Sequence, residues 1–220
     1  MSERGRFITL EGIEGAGKTT VARALVAMLS KRGIPVELTR EPGGTPLAEK
    51  LRDILLHKGE EPMSSSVETL LMFAARGLHL SNRIRPALDR GVWVICDRFT
   101  DATRAYQGAG RGVDQHWIES LAAVIHDGLH PDLTLLLDLP VTDGLARARG
   151  RRQAAGLIED DRFESETVEF FERVRRQYLA LAGQPDSRIL RLDASRSAEE
   201  VAAAACATIE QRFATELAAT

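Results

Sequence analysis

The chain has 220 residues, 44% of them hydrophobic and 28% charged, with a net charge of −3 at neutral pH. That content supports a sizeable core within one domain spanning 1–220, and without a basic excess electrostatics gives no footing for a nucleic-acid polymer as partner. The two cysteines, Cys96 and Cys206, form no metal or disulfide spacing, no apolar run reaches membrane-spanning length and no signal-peptide core opens the chain, so the expectation is a cytoplasmic protein with no membrane partner.

Residues 6–10 read as a short apolar strand. Gly12-Ile13-Glu14-Gly15-Ala16-Gly17-Lys18-Thr19 follows, a full G-x-x-x-x-G-K-[ST] phosphate loop, with Thr20 next. A helix over 18–32 carries Val21, Leu25, Met28 and Leu29 on one stripe. A second strand, 35–39, runs into Arg40-Glu41-Pro42-Gly43-Gly44, a turn carrying two charges. Thr45-Pro46 is an N-cap and first-turn proline for a helix over 46–57. Ser65-x-x-Glu68 reads as a capping box for a long helix over 66–89.

The third strand, 92–96, is almost continuously apolar and ends in Asp97-Arg98-Phe99. From Asp101 to Gly112, glycines alternate with polar and aromatic groups, which suits a segment wrapping a ligand. A helix over 115–126 leads to the fourth strand, 133–138. After a helix over 141–149 comes a basic, glycine-interrupted stretch with Arg147, Arg149, Arg151 and Arg152, read as lying between two helices. A helix over 164–182, a strand over 188–192 and a helix over 198–213 complete the chain, the last opened by a Ser197-x-x-Glu200 capping box. Strands alternating with helices imply a doubly wound α/β fold, in which ligands sit at the carboxyl ends of the strands.

The glycines of the loop bring backbone N–H groups close to phosphate oxygens, and the helix N-terminus adds free donors and a positive dipole end. Lys18 places an ammonium on terminal phosphates, and Thr19 offers a hydroxyl to Mg²⁺. Asp97, after an apolar strand, stands where a second Mg²⁺ partner is expected. Arg98 can grip a phosphate bidentately, and Phe73 with Arg76, three apart on one helix, can stack on a base and bond its edge. The basic stretch reads either as a flap bringing guanidinium groups to a transferring phosphoryl group or as a solvated loop; the phosphate loop favours the flap. The five histidines are scattered and read as structural or surface groups.

Taken together, Gly12 to Thr19, Thr39 to Thr45, Leu71-Met72-Phe73-Ala74-Ala75-Arg76, Asp97-Arg98-Phe99 and Ala105-Tyr106-Gln107-Gly108 resemble the motifs of bacterial thymidylate kinases, in order and over essentially the whole chain. The resemblance implies a P-loop NTPase-type three-layer α/β sandwich with a five-stranded parallel sheet flanked by helices. It implies a homodimer that phosphorylates dTMP to dTDP with ATP and Mg²⁺, in dTTP biosynthesis. Carried over by motif position, Phe73 would stack on thymine, Arg76 would bond its edge, and Thr103 and Gln107 would lie near the base. Arg98, with Arg40 or Arg52, would hold the dTMP phosphate, Glu14 would approach the sugar 3′-hydroxyl, and Asp97 would support Mg²⁺. The loop lacks arginine, which resembles the subgroup whose catalytic arginine comes from a lid, here about 148–162. Arg149, Arg151 and Arg152 are all candidates for it.

A phosphate monoester is mostly a dianion at neutral pH and attacks phosphorus without a general base. Lys18, Mg²⁺, Arg98 and the lid arginines then have to neutralise converging charge. Two alternatives stand beside this reading. A deoxynucleoside kinase would need a carboxylate base for a neutral hydroxyl, and Glu41 could serve. A non-catalytic nucleotide-binding module would need neither a basic lid nor a second ligand site.

Overall fold

The computed structural model describes residues 4–57, 59, 61–154, 162–163, 165–185 and 187–218. Among them five strands form one parallel sheet: β1 Phe7–Glu11, β2 Val36–Arg40, β3 Trp93–Asp97, β4 Leu133–Asp138 and β5 Ile189–Asp193, in the order β2-β3-β1-β4-β5. Each expected strand is present within about a residue of its place. The reason is burial: β1 and β4 are buried along their whole length, so their sequences are mostly apolar. The edge strands β2 and β5 are partly exposed and carry the charged residues Glu37 and Arg191.

The register sets Leu10 beside Asp97 on one side and Leu135 on the other, which brings the ends of β3 and β4 next to the loop after β1. Inside the sheet, Thr9 and Thr134 join side-chain hydroxyls at 2.7 Å, satisfying two buried polar groups at once. Helices cover both faces. On one, α1 (Lys18–Lys31) and α9 (Ala198–Arg212) pack Leu25, Leu29, Ala205 and Ile209 against Ile8, Ile95 and Leu135. On the other, α8 (Val168–Ala182) packs Phe171, Val174 and Tyr178 against Leu136, Ile189 and Tyr106.

Caps match the expected signals at two helices. In α2 (Pro46–Leu56) Thr45 accepts from the Ala48 N–H, and α9 has the full Ser197–Glu200 capping box. At α3 (Ser65–His79) the expectation fails by one residue: Ser64 is the cap, accepting from the Val67 N–H. Glu68 is then not a capping group but a fully buried carboxylate.

The expected single helix over 66–89 is three segments: α3, a π-helical turn over Leu80–Ile84, and α4 (Arg85–Asp89). Pro86 explains the break. It has no N–H, and its ring excludes the carbonyl four residues back, so the Arg85 N–H reaches instead to the Leu80 carbonyl. The segment read as suited to wrapping a ligand is helical: α5 (Thr100–Thr103) continues into a π-helical stretch over Arg104–Gly110. Gly110 serves close packing there, since a Cβ would lie 2.5 Å from the Phe170 ring. After α6 (Gln115–His126), α7 runs over Val141–Ala154, so the arginines placed between helices sit on helical turns rich in Ala, Arg and Gln. α8 begins later than expected, at Val168 behind the Thr167 cap, and a short α10 (Ala214–Ala218) extends the end. Residues 155–161, Glu164 and the Arg152 side chain, all within or beside the expected lid, lie outside the described residues.

Candidate active site

The loop between β1 and α1 is built for an anion. Gly15 has φ 79°, and a Cβ on it would stand 2.1 Å from the Gly144 carbonyl oxygen, so only glycine fits. Gly17 caps α1 with a left-handed backbone and no side-chain bond, and the first turn of α1 carries no acidic residue. The helix N–H groups therefore face the site with their positive dipole end uncompensated by side chains. Lys18 is buried and donates from Nζ to the carbonyl oxygens of Gly12 and Ile13, both at 3.0 Å. Burial, aided by the charge of Arg98, brings its ammonium down to about 8.

Arg98 follows β3 in a left-handed backbone conformation, φ 72°. Its Nη1 donates to the Gly12 carbonyl at 3.0 Å and its Nη2 to Glu14 Oε1 at 2.7 Å, while Tyr106 O–H donates to Glu14 Oε2 at 2.7 Å. The guanidinium also lies 4.7 Å from the Tyr106 ring centre. Beneath it, Glu11 at the end of β1 accepts from the Phe99 and Ala102 N–H groups and from Tyr178 O–H. Complete burial and the nearby Asp101 push the Glu11 carboxyl up to about 7, against the opposing pull of Arg98.

At the end of β2, Glu41 is buried with both oxygens engaged: Oε2 accepts from Arg76 Nε at 2.7 Å and Oε1 from His79 Nδ1 at 3.0 Å. Burial alone would raise its pKa, but Arg76 and His79 outweigh that and hold the carboxyl below its ordinary range. Glu41 is therefore a charge partner for Arg76, not the poised base that a deoxynucleoside kinase would need. His79 is buried support for Glu41, as a structural histidine would be. Glu41, His79 and Cys96 offer three ligand atoms within 4.8 Å, but the adjoining Arg76 guanidinium occupies the carboxylate, and burial keeps the Cys96 thiol protonated.

Arg76 also donates from Nη2 to Thr103 Oγ1 at 3.1 Å, and its guanidinium lies 4.9 Å from the Phe73 ring centre and 5.2 Å from that of Phe99. Its Nη1 is buried without a hydrogen-bond partner, and so is Asp97 Oδ1; among the described residues these are the two buried side-chain polar atoms left in that state. Both residues line a single cavity of about 490 Å³, a size suited to a small-molecule ligand.

The same cavity gathers most of the residues singled out in the sequence. Glu14, Gly15, Gly17, Lys18, Thr19 and Thr20 line it from the phosphate loop and α1. Arg40 and Arg52 line it from the side of β2 and α2, Arg98, Thr103 and Gln107 from the segment after β3, and Arg151 from α7. Arg40 also pairs with Glu49 at 2.9 Å, and Arg52 donates to the Pro42 carbonyl at 2.9 Å. Gly12, Ile13, Ala16 and Arg149 are not on the wall, and neither is Phe73, which packs with Ile118 and Ala122. Arg23, Tyr106 and Phe163 do line it and were not singled out as site residues. Arg23 stands one helical turn past Thr19, a spacing that the 3.6-residue period makes readable.

Comparison with known proteins bears on the whole chain. The family model described as thymidylate kinase matches residues 10–205. Thymidylate kinase of Chromohalobacter salexigens is 54% identical over 211 residues, covering 96% of this chain and 97% of that one. Thymidylate kinase of Alkalilimnicola ehrlichii is 54% identical over 198 residues, 90% of this chain and 89% of that one. Thymidylate kinase of Pseudomonas putida is 54% identical over 197 residues, 90% of this chain and 91% of that one.

Proposed function

The chain belongs to the thymidylate kinase family, and from that premise we propose that it uses the 490 Å³ cavity to transfer the γ-phosphoryl group of ATP to dTMP, giving dTDP for dTTP biosynthesis. One observation carries the assignment of the site. The phosphate loop, Arg76 with its unpartnered Nη1, and Arg98 all line one cavity. A donor phosphate site and an acceptor site for a polar, anionic molecule are thus continuous.

In this reading Lys18 and the N-terminus of α1 hold the ATP phosphates. Arg98 takes the dTMP phosphate, with Arg40 and Arg52 at the β2 side of the cavity. Arg76, Thr103 and Gln107 face the base, Phe73 backs that site through its packing on Arg76, and Glu14 lies toward the sugar 3′-hydroxyl. The dTMP phosphate oxygen forms a bond to the γ-phosphorus as the bond to the bridging oxygen of ADP breaks. No proton has to be removed, which accords with Glu41 being fully engaged by Arg76 and His79. The protein's work is to align two anions and neutralise them in one cavity.

The residues present fit Mg²⁺. Asp97 Oδ1 is buried without a partner in the cavity that Thr19 also lines, and a hard cation with its bound water matches such oxygens. When bound, the ion would neutralise charge on the β- and γ-phosphates. Residues about 148–162 are proposed as the lid of a single domain, and Arg151 is its leading catalytic arginine because it reaches the cavity wall while Arg149 does not.

The homodimer is also proposed, with a second copy covering the adjoining faces of α3 and α6. Val67 and Leu70 on α3 are 46% and 47% exposed and Val124 on α6 is 76% exposed, a cost that burial against a like surface would remove. The cytoplasm is the proposed location, where thiols such as Cys96 and Cys206 stay reduced. Among the described residues no helix is long and apolar enough to cross a membrane.

The test is ATP consumption with dTMP, dUMP, dCMP, dGMP and thymidine as acceptors in the presence of Mg²⁺. Turnover of dTMP is expected. Turnover of thymidine in preference to dTMP would refute the reading.

A further inference from the structure

Glu68 is fully buried on α3 and is not on the cavity wall, yet it holds a residue that is. Its Oε1 accepts from Gln107 Nε2 at 2.8 Å and from Arg111 Nε at 3.2 Å. Its Oε2 accepts from Arg162 Nη2 at 2.9 Å. Arg111 is shared with Glu166, and Arg162 also donates to the Leu55 carbonyl at 3.2 Å, so the cluster is pinned from several elements. A buried carboxylate needs such partners, because an unpaired charge there is strongly unfavourable.

Beside two guanidinium groups this carboxylate only accepts hydrogen bonds. A primary amide facing it has one good orientation, with nitrogen toward the carboxylate and oxygen away. Gln107 is held in that orientation while its side chain lines the cavity. We propose that Glu68 is a positioning residue for base discrimination. It fixes the Gln107 amide so that the carbonyl oxygen is the group presented to the base. An amide oxygen accepts from the ring N–H of a keto pyrimidine such as thymine or uracil. It meets a lone pair on the corresponding ring nitrogen of an amino pyrimidine such as cytosine. The proposal rests on the base site assigned above.

The experiment compares kcat/KM for dTMP and dCMP in the full chain, in Glu68→Gln, in Gln107→Ala and in the double variant. A neutral amide at position 68 accepts or donates, so Gln107 is free to turn over. Glu68→Gln is expected to lower the dTMP:dCMP ratio by about tenfold, mostly through KM for dTMP. Glu68→Asp, which keeps the acceptor, is expected to retain more of the ratio. In the Gln107→Ala background Glu68→Gln should change the ratio no further. A ratio that stays at the parent value in folded Glu68→Gln overturns the proposal, whatever the absolute rate. If Glu68→Gln does not show a cooperative unfolding transition, Gln107→Ala decides: an unchanged ratio overturns the proposal and a tenfold loss upholds it. A parent chain that fails to phosphorylate dTMP at all would be a different result, refuting the assigned function itself.

Discussion

The guanidinium of Arg98 donates from Nη2 to Glu14 Oε1 over 2.7 Å, so the residue after β3 is tied directly to the phosphate loop. A non-glycine residue held at φ 72° costs roughly 1–2 kcal/mol, and the hydrogen bonds its guanidinium donates to the Gly12 carbonyl and to Glu14 hold it there. Arg98 itself lines the cavity beside the phosphate loop. Arg98→Ala is expected to lower kcat/KM for dTMP by about 100- to 1,000-fold, the scale for losing one charge-stabilising donor; alanine keeps the Cβ, so the left-handed backbone stays strained. Steady-state kinetics with thermal unfolding check this. A variant that unfolds earlier yet keeps its dTMP kinetics would make Arg98 a purely structural residue.

Lys18 predicts a pH dependence. With a pKa brought down to about 8 by burial and Arg98, the free protein holds the ammonium below pH 8 and loses it above. The profile of kcat/KM for ATP, which reports the free enzyme, should therefore fall above about pH 8. Bound phosphate charge restores the proton, so ATP binding near pH 8.5 should take up protons, seen by calorimetry in buffers of different ionisation enthalpy. In the unfolded chain the same lysine stays protonated up to about 10.5, so its effect on stability turns favourable as pH rises between the two values. A flat profile to pH 9.5 without proton uptake would count against this role.

Much of the site was readable because a parallel sheet collects its strand ends at one edge. Arg40 and Asp97 end β2 and β3, Glu41 and Arg98 follow them, and the register of β1, β2 and β3 brings them together. The π-helical turns were not readable. An apolar stripe does not distinguish bonds to the fourth residue from bonds to the fifth, and only Pro86 hinted at the change. Gly108 and Gly110 belonged to a stretch read as suited to wrapping a ligand, but both are spaces for packed neighbours, Gln115 and Phe170. Glu68 looked like a capping residue because it stands three after Ser65, but Ser64 is the cap; its burial depends on Arg111 and Arg162, far along the chain.

Arg151 and Arg149 should separate in kinetics. Arg151→Ala is expected to reduce kcat by about 10³- to 10⁵-fold, as for other arginines that act on a transferring phosphoryl group. Arg149→Ala, away from the cavity wall, should stay within about tenfold of the parent. The reverse ranking would move the catalytic group two residues back along the lid.

Glu41→Gln leaves the buried Arg76 guanidinium without its counter-charge. Breaking a buried pair in this way costs roughly 3–5 kcal/mol, measurable by denaturant unfolding at pH 7. The native carboxyl lies below its ordinary value of 4.5, so the pair's contribution is present above 4.5 and is lost as pH falls through the native value. The gap in stability between parent and variant should accordingly narrow between pH 6 and pH 3. A constant gap over that range would show that the charge is not what Glu41 contributes.

The central claim is that one cavity aligns ATP with an anionic acceptor bearing a keto pyrimidine. Its most direct measurement is the rate of ADP formation with dTMP against thymidine, at equal concentration and with Mg²⁺. Rapid turnover of dTMP and none of thymidine is the predicted result, because Arg98 is proposed to take the phosphate and Glu41 is fully engaged by Arg76 and His79. Turnover of thymidine without dTMP, or of neither, would contradict it.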